Sequence, residues 1–202
     1  VTPRSIEGEI FHRYTRAQMK ARQAAAEKDG NANFSHFGPD TNLFAELETL
    51  FRTYSESGSG KRRKYLHDAR EAAPYKQEPG TFTEWEDIPA DTDLLFYEGL
   101  HGAVVHDKVN IAQYPDLLVG VVPVINLEWI QKLWRDKSTR GYSAEAVTDT
   151  ILRRMPDYVN HICPQFSLTH VNFQRVPCVD TSNPFIARDI PAPDESFVVI
   201  RF

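Results

Sequence analysis

Apolar positions along the chain fall into two kinds of run. Asp93-Leu94-Leu95-Phe96-Tyr97-Glu98-Gly99-Leu100-His101-Gly102 holds a short unbroken apolar stretch that stops at one carboxylate, two glycines and a histidine. Such a run predicts a strand buried on both faces, and ligands of open α/β sheets bind just past the carboxyl ends of such strands. Residues 117–125, rich in Val, predict a second buried strand, with Asn126 capping the helix it feeds. Elsewhere the period is helical. Residues 16–28 are good helix formers stopped by Asp29-Gly30. Pro39 and Asp40 open an amphipathic helix with Leu43, Phe44, Leu47, Leu50, Phe51 and Tyr54 on one face. Residues 127–137 carry an inner stripe of Leu127, Ile130, Leu133 and Trp134. Ser143 caps a further helix with Ala146, Val147, Ile151, Met155 and Tyr158 in register.

Between these lie a turn over residues 55–60, a basic run Lys61-Arg62-Arg63-Lys64, and a Pro- and Gly-punctuated segment over residues 73–90. Residues 172–193 mix short extended pieces with turns. Strands alternating with helical patterns predict an α/β fold with a mixed, mostly parallel sheet flanked by helices. Val1 stands close to a short strand at Ser5-Ile6, and the last residues, 196–202, again look like a strand. That pattern is expected of a piece of a longer protein.

Composition narrows the function classes. A 202-residue chain with 41% hydrophobic and 25% charged residues is an ordinary globular one. A formal net charge of -5 argues against binding nucleic acid or an anionic membrane. No apolar run approaches the roughly 20 residues of a bilayer span. Cys163 and Cys178 are too few for a zinc site or a disulfide framework, and cytoplasm is the simplest compartment.

Three clusters have chemical promise. Glu7-Gly8-Glu9 follows the first short strand, and His12, Arg13, Arg16 and Lys20 come after it. Arg16 and Lys20 are one helical turn apart, so this group suits a phosphomonoester near a helix N-terminus; the plainer alternative is a solvated basic face. Lys132, Arg135, Asp136 and Arg140 bring cations onto one element, as phosphoryl transfer requires, or form an ordinary surface helix with an Arg–Asp pair. Tyr65 and His67 follow the basic run and can equally be surface residues. Glu98 is placed to act beside a metal or a phosphate, or is merely solvated after a glycine turn. Ser57-Gly58-Ser59-Gly60-Lys61 fails as a phosphate loop, because Ser55 and Arg62 stand where Gly and Ser or Thr are needed. No Gly-x-Ser-x-Gly elbow occurs, and neither His36 nor His101 has a second histidine at helical spacing.

The segments Glu98-Gly99-Leu100-His101-Gly102, Val121-Val122-Pro123-Val124-Ile125-Asn126-Leu127-Glu128-Trp129-Ile130-Gln131-Lys132, residues 149–157, Phe173-Gln174-Arg175-Val176-Pro177 and Val179-Asp180-Thr181-Ser182-Asn183-Pro184-Phe185 together resemble the bacterial phosphoribulokinases. The resemblance runs across essentially the whole chain. It implies a P-loop NTPase, nucleotide-kinase-like fold that uses ATP and Mg²⁺ to convert ribulose 5-phosphate to ribulose 1,5-bisphosphate in the Calvin cycle. It implies Glu9 as the base, Glu98 near the metal and nucleotide phosphates, and His12, Arg16 and Lys20 on the sugar phosphate with Tyr65 and His67 nearby. Lys132, Arg135, Asp136 and Arg140 would form a lid, with Arg140 reaching the sugar phosphate. It also implies a homo-oligomer activated by NADH and inhibited by AMP, with Arg201 at a position linked to that response.

Two departures from the family pattern stand out. Glu9 replaces an aspartate, adding a methylene to the carboxylate's reach, and a misplacement on the order of 1 Å can cost about a hundredfold in rate. The family's phosphate loop lies upstream of the residue matching Val1, and a further segment follows Phe202. Residues 1–202 are therefore expected to form one α/β domain lacking both, and the chain by itself is expected not to transfer phosphate. The rival readings are a uridine-kinase-like P-loop kinase and a non-catalytic module that binds sugar phosphates.

Overall fold

Parallel pairing of strands from distant parts of the chain organises the molecule. The computed structural model describes residues 1–202 apart from Ala32, Thr139, Arg140 and Arg188. In chain order the elements are β1 (Pro3–Glu7), α1 (Arg16–Lys28), α2 (Phe44–Ser57), β2 (Lys61–Arg62), α3 (Ala69–Ala72), β3 (Glu86–Asp87) and β4 (Leu94–Glu98). There follow β5 (Val105–His106), β6 (Val109–Asn110), β7 (Val119–Val121), α4 (Ile125–Ser138), α5 (Ala144–Asp157), a π-helical turn (Tyr158–Ile162), β8 (Val171–Pro177) and β9 (Ser196–Arg201).

β1 and β4 run parallel, with Pro3 opposite Leu94 and Glu7 opposite Glu98. β7 runs parallel to β8, and β9 closes that sheet antiparallel to β8. Two small antiparallel ladders, β2 with β3 and β5 with β6, and the isolated bridges His12–Asn42 and Tyr65–Phe82 add to the pairing. The result is the mixed α/β architecture that the alternation predicted.

The larger core gathers around β1 and α2. Ile6 from β1, Ile10 and Phe11 from the turn after it, and Phe44, Leu47, Leu50 and Phe51 from α2 are buried with Ile88, Val104 and Ile111. A smaller cluster joins Leu133 of α4 to Val147 and Ile151 of α5. α1 starts where expected because Thr15 and Gln18 form a reciprocal capping box, and it ends at Lys28 before Asp29. Ser143 caps α5 through Ala146 N–H, also as expected.

Four expectations need correcting. α2 begins at Phe44, since Pro39–Thr41 is only a 3-10 turn, and it runs to Ser57 before the left-handed Gly58 at φ 66° stops it. The 117–125 strand shrinks to β7, and α4 starts at Ile125, so Asn126 lies inside the helix and does not cap it. β8 is a continuous strand where only short extended pieces were expected. Finally, β4 is not buried on both faces. Period 2 turns Leu95 and Tyr97 toward the core, whereas Leu94 and Phe96 are 48% and 57% exposed.

Candidate active site

The ends of β1 and β4 are joined glycine to glycine. Glu7 lies opposite Glu98, and the residues that follow are Gly8 and Gly99. A Cβ on Gly8 would stand 2.6 Å from the Tyr97 hydroxyl oxygen and 2.9 Å from Gly99 Cα; one on Gly99 would meet the same oxygen at 2.7 Å and Gly8 Cα at 2.8 Å. Only glycine fits at either position, and the Tyr97 hydroxyl fills the space between. Burial pushes that phenol far above its usual value, against the pull of the His101 amide and with the Glu98 charge adding. Glu98 itself is exposed, and its carboxylate makes no hydrogen bond or ion pair among the described residues.

Glu9 sits in the 3-10 turn Gly8–Phe11, at the same end of the ladder. Its Oε2 is 3.3 Å from His67 Nε2. The His67 carbonyl accepts from Arg16 Nη2 at 2.9 Å, and its amide donates to Glu71 Oε2 at 2.8 Å. Tyr65 presents an edge to the His67 ring at 4.9 Å, and the Arg16 guanidinium lies over the Tyr65 ring at 5.8 Å. Arg16 is the first residue of α1, and its amide donates to the Gly80 carbonyl. Gly80 has a φ of 83°, and a Cβ there would collide with Arg16 Cβ at 2.6 Å, so the loop closes over the arginine stem. Lys20, a turn further on, is exposed.

His12 ends the same 3-10 turn, its ring stacked on His36 at 4.2 Å. Burial lowers His12 to about 3, reinforced by His36 and His101 when they carry protons and by the Arg63 charge. Burial and the Arg154 charge lower His36 to about 4. The Arg63 guanidinium donates to the carbonyls of Ile10 and His12 at 2.7 Å each, between the faces of Phe82 and Trp85. Burial brings Arg63 down to about 10, with Glu46 and Glu84 opposing.

On α4, Asp136 is buried at 4% exposure. Lys132 Nζ reaches one of its oxygens at 2.5 Å and Arg135 Nε the other at 3.2 Å. Burial works to raise the Asp136 carboxyl, but the two cations prevail and hold it below the usual range. Glu128, one turn before Lys132, is raised by burial despite both cations. Among the described residues, α5 is tied to earlier parts of the chain by Arg153 with Glu27 of α1 and by Asp157 Oδ2 accepting from Ser35 Oγ at 2.5 Å.

The structure thus gathers Glu9, Arg16, Tyr65 and His67 around one point, with His12 adjoining and Glu98 at the same strand ends. Lys132, Arg135 and Asp136 form a second group, and no hydrogen bond or ion pair joins it to the first among the described residues. Arg140 lies outside the described residues. Arg201 is exposed at the end of β9, opposite Asn172. Arg63 and Gly80 belong to the site's frame and were not singled out, and His36, weighed only for metal ligation, stacks on His12. Arg63 was hidden in a basic run, and His36 belongs to no periodic segment. Among the described residues no cluster of three or more His, Cys, Asp or Glu forms a metal cage, and no helix is long and apolar enough to cross a membrane.

The sequence profile of the family described as Phosphoribulokinase / Uridine kinase matches residues 1–182. The plasmid-borne phosphoribulokinase of Cupriavidus necator is 77% identical over 197 residues, covering 98% of this chain and 68% of that protein. The phosphoribulokinase of Nitrobacter vulgaris is 69% identical over 196 residues, covering 97% and 68%. Among solved structures, the phosphoribulokinase from Rhodobacter spheroides superposes with a TM-score of 0.90 at 59% identity, over 100% of this chain and 70% of that one. A D-glycerate 3-kinase from Cryptococcus neoformans superposes with a TM-score of 0.53 at 13% identity, covering 86% of this chain and 76% of that one, a likeness of fold alone.

Proposed function

The chain belongs to the phosphoribulokinase and uridine kinase family, and from that membership we propose how its residues divide the work of phosphorylating ribulose 5-phosphate with ATP. Relatives at 60–77% identity are named phosphoribulokinase or probable phosphoribulokinase, and the reaction is conversion of ribulose 5-phosphate to ribulose 1,5-bisphosphate, the Calvin-cycle step. His12, Arg16 and Lys20 hold the sugar phosphate, joined by Arg140 on the strength of the family resemblance. Tyr65 and His67 line the sugar. The reacting hydroxyl is presented to Glu9, which takes its proton as the oxygen bonds to the γ-phosphorus and the bond to the ADP oxygen breaks. His67, 3.3 Å from Glu9, fixes the direction in which that carboxylate faces.

Lys132 and Arg135 stabilise the charge spread over the transferring group, and Asp136 keeps the two cations aligned between turnovers. Mg²⁺ binds in kinases through one or two carboxylates plus phosphate oxygens, and an exposed carboxylate without a protein partner at a strand end suits that role. Glu98 would hold it, and the ion would screen phosphate charge. The enzyme works in the cytoplasm as a homo-oligomer that responds to NADH and AMP through the region of Arg201; family resemblance supports this part, and sedimentation with and without each effector tests it.

The meeting of Glu9, His67 and Arg16 carries the reading, since it sets a carboxylate base beside a cation suited to a phosphorylated acceptor. A uridine acceptor would leave Arg16 and Lys20 without an anionic partner. ADP release by the complete protein, measured with ribulose 5-phosphate and with uridine, tests it. Turnover with the sugar phosphate alone is the expected result, and a preference for uridine overturns it.

A further inference from the structure

His36 stands behind His12, away from any role assigned above. Its ring stacks on the His12 imidazole with centroids 4.2 Å apart and planes 28° from parallel. Its Nδ1 is buried and finds no hydrogen-bond partner among the described residues, which leaves packing to hold the ring. The loop that carries it is pinned from every side. Asn42 Nδ2 donates to the His36 and Gly38 carbonyls at 2.9 and 2.8 Å, and Thr41 Oγ1 donates to the Ser35 carbonyl at 2.6 Å. His101 Nε2 lies 3.2 Å from the Phe37 carbonyl oxygen, and the Ser35 hydroxyl donates to Asp157 of α5. The His12 main chain is equally fixed, its amide donating to Glu9 and its carbonyl accepting from Arg63. What these bonds leave undetermined is the His12 side-chain rotamer, and among the described residues the ring stacked on it is that of His36.

We propose that His36 is a positioning residue for the acceptor: by stacking on His12 it holds that imidazole in the rotamer that meets the sugar phosphate, and the Ser35–Asp157 bond couples this support to α5. The inference rests on the reading of His12 as a sugar-phosphate contact. Both rings are neutral at pH 7, because burial lowers their pKa values, so no charge repulsion opposes the stack. A contact between two aromatic rings is the kind of interaction that any flat ring of similar size can replace, whereas a hydrogen-bonding role is not.

Variants of the complete protein test this. In His36→Ala, KM for ribulose 5-phosphate is expected to rise about 3- to 10-fold, the range one aromatic contact supports, while kcat and KM for ATP stay within about twofold. His36→Phe should restore the sugar-phosphate KM, and His36→Gln, polar but without a ring, should behave as His36→Ala. In a His12→Ala background, His36→Ala should add nothing, since its effect passes through His12. Calorimetry with ribulose 5-phosphate should follow the same order without turnover. An unchanged KM in His36→Ala, rescue by Gln in place of Phe, or additive effects in the double variant each overturn the proposal. Should the wild-type protein neither bind nor phosphorylate ribulose 5-phosphate, the proposed function falls and this inference with it; wild-type activity with an indifferent His36 removes this inference alone.

Discussion

The Glu9 carboxylate meets His67 Nε2 at 3.3 Å, while the carbonyl of that same histidine accepts from Arg16. One residue therefore touches both the proposed base and the cation proposed to hold the substrate's phosphate, so a shift of His67 would displace the two together.

Glu9→Gln keeps the shape and removes the proton acceptor. General-base catalysis contributes about 10²–10⁴-fold, so kcat should fall by that order with KM for both substrates nearly unchanged. Glu9→Asp should also lose rate, because the shorter side chain withdraws from His67. Steady-state kinetics of the two variants decides; an Asp variant faster than wild type would show that the site was shaped for the shorter acid.

Arg16→Ala deletes a charged hydrogen-bond donor from the proposed phosphate site. Such bonds contribute about 1.5–3 kcal/mol, which corresponds to an increase in KM for ribulose 5-phosphate of roughly 10- to 150-fold. KM for ATP should hardly move. A rise shared equally between the two substrates would mean that Arg16 supports the fold and does not touch the acceptor.

Lys132→Met should lower kcat by about 10²–10³-fold, the usual effect of removing one donor from a transition-state charge. It also leaves the buried Asp136 with one fewer cation. The low carboxyl pKa of Asp136 contributes stability above the unfolded value of about 3.9, lost as pH falls through its folded value. That acid-side contribution should shrink in the variant, as melting between pH 5 and 3 would reveal.

Gly99→Ala puts a methyl group where the Tyr97 hydroxyl and Gly8 Cα already stand, at 2.7 and 2.8 Å. Overpacking of this kind costs about 1–3 kcal/mol, and here the strand ends bearing Glu9 and Glu98 must move apart. A lower Tm should accompany a loss of kcat. Tyr97→Phe in the same background should recover only part of either, because the contact with Gly8 remains.

Three histidines shielded from water, His101 fully and His12 and His36 in part, predict an acid-labile fold. An unfolded imidazole takes its proton near pH ~6.5, but His36 and His101 resist until about 4 and His12 until about 3. His36 faces the Arg154 charge, His12 faces Arg63, and His101 faces His161. Between pH 6.5 and 4 the unfolded chain binds more protons than the folded one, so stability is complete above that window and falls through it. Tm measured every half pH unit should drop across the window, and His36→Phe should flatten the drop. A level profile down to pH 4.5 would refute this.

Local chemistry made much of this architecture readable. The cap at Ser143 and the run of helix formers over residues 16–28 are short-range signals, and α5 and α1 begin where they direct. The α4 start was misjudged because Asn126 is as content inside the first turn as before it. The exposure of Leu94 and Phe96 was invisible for a different reason, since an apolar run states what a strand prefers to bury, not what lies beside it. In the candidate site, charged residues at helical spacing identified Arg16 and Lys20. No pattern announces Arg63, whose role depends on a carbonyl pair from another turn, or His36, whose stack is purely tertiary.

Arg63 is a rivet. By gripping the carbonyls of Ile10 and His12 from between two aromatic faces, it fastens the hairpin strand that leads to Tyr65 and His67 onto the bend that carries Glu9. Without that grip the segment bearing Tyr65 and His67 would lose its fastening to the turn that presents Glu9.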